Sequence, residues 1–233
     1  MKSSQIAYLW MPYFGTMVAR QASGAPDDRP LVLLDEQGRV FSADAQATQA
    51  GVAASMSERQ ATARCPYALF DAAARYPVIE AQERLRQQIE QFTDRWQADG
   101  AGSAYLEASD VGAEDALLRW CQALANSIRR MGWTPALGAT GSKFGASVAG
   151  RKAGKNTALL LGLPAQRAFL ASQPTVFLPL DADALIRLRH LGIRSLGQYA
   201  QLPASGVLAR FGQAGRTAQR WAQGLDDRPV VPA

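Results

Sequence analysis

Histidine is almost missing from this chain: His190 is the only one in 233 residues, which excludes histidine-based triads and multi-histidine metal centres. Cysteine is scarce as well. Cys65 and Cys121 stand far apart without CxxC spacing, so neither a disulfide framework nor a zinc site is supported, and a reducing cytosol fits. No apolar run approaches the roughly 20 residues of a membrane span, and Pro12 and the aromatics around it break the N-terminal apolar stretch. Neither a secretory signal nor a membrane span is expected, and the expected location is the cytoplasm.

What is there is a chain nearly half hydrophobic, long enough for one large domain or a core with small satellites. The formal charge of +5 favours polyanionic partners. The cations cluster: Lys143, Arg151, Lys152 and Lys155 in one group, and Arg187, Arg189, Arg194, Arg210, Arg216 and Arg220 towards the C-terminus. Each group reads either as a phosphate-contacting patch or as a solvated helix face.

Residues 6–10 read as a strand and 13–20 as a helix begun just after Pro12. Residues 31–34 and 39–42 form a hairpin signal, followed by short helices at 44–50 and 57–64. Val78, Leu85, Ile89, Phe92 and Trp96 share one face of a long helix; Leu117, Trp120, Cys121, Leu124, Ile128 and Met131 share one face of a second. Strands at 103–108 and 134–140 alternate with these, and a helix follows at 142–151. The pattern predicts an α/β layer with helices over one face of a sheet. From Pro164 onward the spacing predicts short helices without a strand, and residues 226–233 read as the start of a linker.

The segment Leu188-Arg189-His190-Leu191-Gly192-Ile193-Arg194-Ser195-Leu196-Gly197-Gln198-Tyr199-Ala200 reads as two helices around a tight turn and resembles a helix-hairpin-helix. Gly192 permits the turn, Ser195 caps the second helix, and the amides of Ile193 to Gly197 are placed to hold a phosphate without reading sequence. Arg187, Arg189 and Arg194 flank it. A purely structural hairpin is the alternative reading.

Pro12-Tyr13-Phe14, Gly51-Val52 with Met56, Cys65-Pro66, Ala104-Tyr105-Leu106, the run Gly138 to Ala149 and Leu191-Gly192-Ile193 occur here in one order. In that order the chain resembles the Y-family translesion DNA polymerases. The resemblance implies a palm at 1–24 and 70–163, a small fingers insertion at 25–69, and an all-α thumb with the helix-hairpin-helix at 164–225. No little-finger domain follows within the chain.

Polymerases of this kind transfer nucleotides through two metal ions held by carboxylates. The family's aspartyl positions in the first strand are Leu9 and Met11 here, and its Asp-Glu pair falls on Gly102 and Ser103. The family's triphosphate-gripping Tyr and Arg fall on Ala45 and Thr48, while Phe14 stands at the sugar-excluding aromatic. Lys143 matches the family's lysine. Glu107 lies roughly 13 Å beyond Ser103 by strand rise, too far for simple substitution.

These losses resemble the inactive, ImuB-like branch of the family. The resemblance implies a DNA-repair protein of SOS mutagenesis that is not an enzyme and has no metal or cofactor. It implies non-sequence-specific binding to primer–template DNA through Lys143, Arg151, Lys152, Lys155, Arg189, Gly192, Ile193, Arg194, Ser195 and Gly197. Implied partners are an ImuA-like RecA-related protein, an error-prone C-family polymerase and a sliding clamp whose site lies outside this chain. Two rivals remain open: a polymerase with metal ligands relocated to Asp99, Glu107 and Asp110, and a scaffold that contacts only proteins.

Overall fold

The first strand, β1 (Ile6–Trp10), is the middle of the molecule's main sheet. After it come α1 (Phe14–Ser23), β2 (Leu31–Leu34), β3 (Val40–Ala43), α2 (Ala45–Gln49), α3 (Glu58–Arg64) and β4 (Leu69–Ala72). Then follow α4 (Val78–Glu90), β5 (Trp96–Ala98), β6 (Ser103–Glu107), α5 (Glu114–Arg130), β7 (Ala136–Thr140), α6 (Lys143–Lys152) and β8 (Ala158–Leu160). The chain closes with α7 (Leu163–Ser172), α8 (Ala182–His190), α9 (Leu196–Ala200) and α10 (Ala204–Ala222). The structure, a computed structural model, describes residues 5–24, 28–154 and 157–232.

The main sheet runs β5-β6-β1-β7-β8, with β1 antiparallel to both neighbours and β8 parallel to β7. An uninterrupted apolar β1 follows from burial on both faces. Ala7, Leu9 and Met11 face the core made by α4 and α5, where Ala81, Leu85, Ile89, Cys121, Leu124 and Ile128 meet them. Ile6 and Tyr8 face the other way, against Ala146 of α6 and Val230. Helices therefore cover both faces, not one as the alternation alone predicts. The α6 side depends on close backbone approach: a Cβ on Gly138 would lie 2.1 Å from the amide nitrogen of Gly150.

The second sheet, β3-β2-β4, pairs β2 antiparallel to β3 and parallel to β4. With α2 and α3 it encloses a small core of Val32, Val40, Ala47, Val52, Ala61 and Cys65. The Ser57 hydroxyl accepts from the Gln60 amide and the Gln60 side chain accepts from the Ser57 amide, a capping box that starts α3.

Three strands escaped the sequence pattern: β4, β5 and β8 are only three or four residues long, too short to show a period. Trp96 also moves from helix to strand. The expected helix stops at Glu90 because the Thr93 hydroxyl donates to the Glu107 carbonyl and accepts from the Arg95 amide, turning the chain into β5.

The helices α7 to α10 gather around Leu170, Leu178, Leu188, Leu196, Tyr199, Val207 and Ala218, and Phe144 and Val148 of α6 join that cluster. The buried Gln219 amide ties it together by donating to the carbonyls of Tyr199, Ala200 and Leu202. Residues 226–231 do not leave the body as a linker start would. Val230 is buried on the sheet, the Val231 amide donates to Gln97 Oε1, and the Arg228 guanidinium stacks 3.6 Å from the Trp221 ring centroid. Asp226 Oδ2 accepts from the Phe144 amide at the start of α6.

Candidate nucleic-acid interface

The strand ends at which the resemblance puts metal ligands are packed with apolar atoms. Leu9 is 0% exposed and Met11 1%, both in the α4–α5 core, and Phe14 lies edge-on to Trp133 at 5.2 Å. Phe14 is therefore core and not an aromatic presented to a sugar. Gly102 has φ 74° and its carbonyl accepts from the Met11 amide at 2.9 Å. Ser103, opposite Trp10, supplies the one side-chain oxygen of these four positions. A single hydroxyl does not fit a pair of divalent cations, which need several hard oxygen ligands. Among the described residues, no group of three or more His, Cys, Asp or Glu side chains is placed to hold a metal ion.

The carboxylates offered as substitutes do not come together. Asp99 Oδ2 accepts from the Tyr8 hydroxyl at 2.8 Å, on the α6 side of the sheet. Glu107 pairs with Arg95 at 2.9 Å and lies opposite Ile6, at the far end of β1 from Ser103. Asp110 belongs to the turn beyond it.

Ala45 lines a cavity of about 390 Å³ with Pro12, Tyr13, Arg20 and Asp44, while Thr48 is exposed on the same short helix. The cavity's one cation is already committed: Arg20 pairs with Asp44 at 2.7 Å, and Asp44 also accepts from the Leu31 and Ala47 amides. Tyr13 holds a left-handed φ of 62° at the start of α1.

Of the cations expected to face phosphate, Lys143 does not. It is 5% exposed, its Nζ donates to Gln97 Oε1 and to the Pro229 carbonyl, and it sits 4.6 Å from the Tyr105 ring centroid. Burial, and then repulsion from Arg228, lowers its pKa. Arg151 and Lys152 are exposed in the last turn of α6, with the Arg151 guanidinium 6.0 Å from the Tyr8 ring. Lys155 lies outside the described residues.

The helical hairpin forms between α8 and α9, with Gly192 at φ 75°. Its amides, however, are occupied. Leu191, Gly192 and Ile193 donate to the carbonyls of Arg187, Arg189 and Leu188, each at 3.0 Å. The Arg194 and Ser195 amides both donate to Gln198 Oε1, at 2.7 and 3.1 Å, and Leu196 donates to the Gln173 carbonyl. Gly197 is there for packing, since a Cβ on it would meet the Ala171 carbonyl oxygen at 2.9 Å. The expected phosphate cradle is corrected at Ile193 and Ser195, whose amides already donate within the protein. What the turn offers outward is charge, through exposed Arg189 and Arg194.

The sequence assigns no role to Gln198, which the structure makes the acceptor of two turn amides. Its signal was present as Ser195-x-x-Gln198, a capping-box spacing. The wider charge pattern was legible too: residues 184–225 contain six arginines and no aspartate or glutamate.

The family model described as the impB/mucB/samB family matches residues 9–151. A protein named DNA polymerase IV from Dehalococcoides mccartyi is 27% identical over 212 residues, covering 87% of this chain and 54% of its own length. The DNA polymerase IV of Escherichia coli O157:H7 is 24% identical over 97% of this chain and 66% of its own length. The chain thus spans about half to two thirds of these relatives. Among solved structures, DinB from Sulfolobus solfataricus superposes with a TM-score of 0.85 at 20% identity, covering 98% of this chain and 69% of that one. This likeness establishes the mixed α/β fold.

The relatives overturn one expectation. The lost carboxylates led to the reading that the chain is not an enzyme, yet the curated relatives spanning most of its length carry the name of an enzyme, DNA polymerase IV. Residue loss at two strands does not outweigh that assignment.

Proposed function

Since the chain belongs to the impB/mucB/samB family of Y-family, DNA-repair and translesion-synthesis proteins, we propose that it grips primer–template DNA by phosphate charge and helps assemble a translesion complex. The observation that carries this is the run of six arginines without a carboxylate over residues 184–225, which follows Asp181 and Asp183 at the start of α8. Arg189 and Arg194 beside the hairpin turn, with Arg151 and Lys152 at the end of α6, are the contacts of this reading. Such contacts position a duplex without reading its sequence and weaken steeply with salt.

The palm, fingers and thumb partition at 1–24 with 70–163, 25–69 and 164–225 belongs to the same reading, as does a cytoplasmic location. So do the partners that the resemblance implies: an ImuA-like RecA-related protein, an error-prone C-family polymerase and a sliding clamp. Among the described residues no helix is long and apolar enough to cross a membrane. Fluorescence anisotropy with a labelled primer–template tests the grip. Saturable binding at low salt that weakens on Arg189→Ala and Arg194→Ala is the expected outcome, and no binding at low salt sinks it.

A second reading is nucleotidyl transfer, favoured by the relatives' name. It requires metal ligands other than the side chains at Leu9, Met11, Gly102 and Ser103. Primer extension with magnesium or manganese reads it directly: incorporation that disappears in Asp99→Ala supports it, and intact DNA binding without incorporation removes it.

A further inference from the structure

Beside the hairpin turn, a groove of about 380 Å³ runs between Leu191 and Ile193 on one side and Leu202, Pro203, Val207 and Phe211 of the α10 arm on the other. Its mouth is open, with Leu191 51% exposed. The rim is cationic. Arg210 lines it, the Arg187 guanidinium lies 5.8 Å from the Phe211 ring centroid, and Arg189 and Arg194 flank the turn. Gly212, at φ 63°, breaks the helix right after Phe211 and sets that ring edge-on to Tyr199 at 6.1 Å, so the far wall is fixed by packing.

From this apolar floor and one-signed rim we infer that the groove docks an acidic peptide segment of a partner protein, with leucine or phenylalanine anchors one helical turn apart. Charge complementarity selects the partner's sign, because the groove lining includes Arg210 and no carboxylate, and the acidic residue closest in sequence to the rim is Asp183, one turn before Arg187 on α8. Floor chemistry selects its class. A DNA backbone has no apolar group to fill Leu191, Ile193 and Phe211, and the turn amides that would receive its phosphates already donate to Gln198 Oε1 and to α8 carbonyls. Amphipathic segments bind such grooves through a few apolar anchors with charge around them. The surface goes beyond the DNA grip proposed above: the two share Arg189 and Arg194, while Leu191 and Arg210 belong to the groove alone.

The test uses the full chain and a fluorescein-labelled peptide of glutamates bearing leucine and phenylalanine at successive helical turns. Two controls are the same peptide with serine at the anchors and an unlabelled duplex oligonucleotide. Saturable binding is expected, weakened about tenfold or more by Leu191→Ser, by Arg210→Glu and by serine anchors. Backbone amide shifts on titration should centre on Leu191, Ile193 and Val207. No binding, or equal affinity for the serine peptide, overturns the inference. So does duplex binding that Leu191→Ser weakens as strongly, which would make the groove a DNA site. Circular dichroism of both variants separates a lost contact from a lost fold, and primer–template binding measured in parallel reports on the DNA grip independently.

Discussion

A Cβ built on Gly102 lies 2.6 Å from the Cβ of Phe14 and 2.9 Å from the Met11 carbonyl oxygen. With φ at 74°, the position is closed to side chains on two grounds, backbone conformation and space. Restoring a carboxylate there should therefore damage the fold before it gathers a metal. Gly102→Asp is expected to cost about 2 to 4 kcal/mol, the range for strain at a positive φ joined to overpacking. Leu9→Asp, which buries an unpaired carboxyl in the core, should cost at least as much. Urea unfolding of both variants checks this; near-parental midpoints would show that the strand ends are looser than this packing.

The alkaline limb of stability should report on Tyr105. Burial pushes its phenol up to about 12, with the Asp99 charge adding to the rise. In the unfolded chain the group titrates near its ordinary value of about 10. The folded state thus binds more protons between those values, so its contribution is complete below pH 10 and lost as pH rises towards 12. Tyr105→Phe keeps the ring beneath Lys143 and should flatten that loss. Chemical denaturation from pH 8 to 12 measures it, and identical pH profiles would contradict the assignment.

Asp226 joins two distant parts of the chain. Its carboxylate accepts from the Phe144 amide and from the Arg228 guanidinium, which stacks on Trp221. Asp226→Ala should cost about 1 to 2 kcal/mol, as loss of a helix cap does. It should also release residues 226–231 from the sheet. Limited proteolysis after Leu225 is expected to quicken in the variant; an unchanged cleavage rate would place the hold on Val230 alone.

The helical unit should depend on Gln219, whose buried amide donates to three carbonyls in the α9–α10 connection. Gln219→Leu takes the donor from the Leu202 carbonyl, while Tyr199 keeps the Leu202 amide and Ala200 keeps Gln223 Nε2, and is predicted to lower stability by about 1 to 3 kcal/mol. Thermal unfolding followed by circular dichroism reads the change. A shift within error would mean that water replaces the amide.

Much of the frame was readable from residue order. The apolar run of β1, the helical faces of Leu85 and Ile89 and of Cys121, Leu124 and Ile128, and the turn at Gly192 all carry local signals that packing preserves. Lys143 was not readable as buried, because what covers it is Gln97 and Pro229, brought close only by the tertiary fold. The occupied amides of the hairpin were half legible. Ser195 and Gln198 show the capping spacing, but Gln173 reaches Leu196 from another helix connection. Trp96 misled because five apolar residues at helical spacing carried no mark of the break that Thr93 makes through Glu107.

The most direct test of the account is the salt dependence of primer–template binding by the full chain, measured in EDTA and again with magnesium. Phosphate contact through Arg151, Lys152, Arg189 and Arg194 predicts binding that persists in EDTA and is no tighter in magnesium, which competes for the same phosphates. It also predicts a slope of about −3 to −4 in log affinity against log salt, reduced by about 2 on joint Arg189→Ala and Arg194→Ala substitution. Binding that vanishes in EDTA, or a slope unmoved by those substitutions, would contradict it.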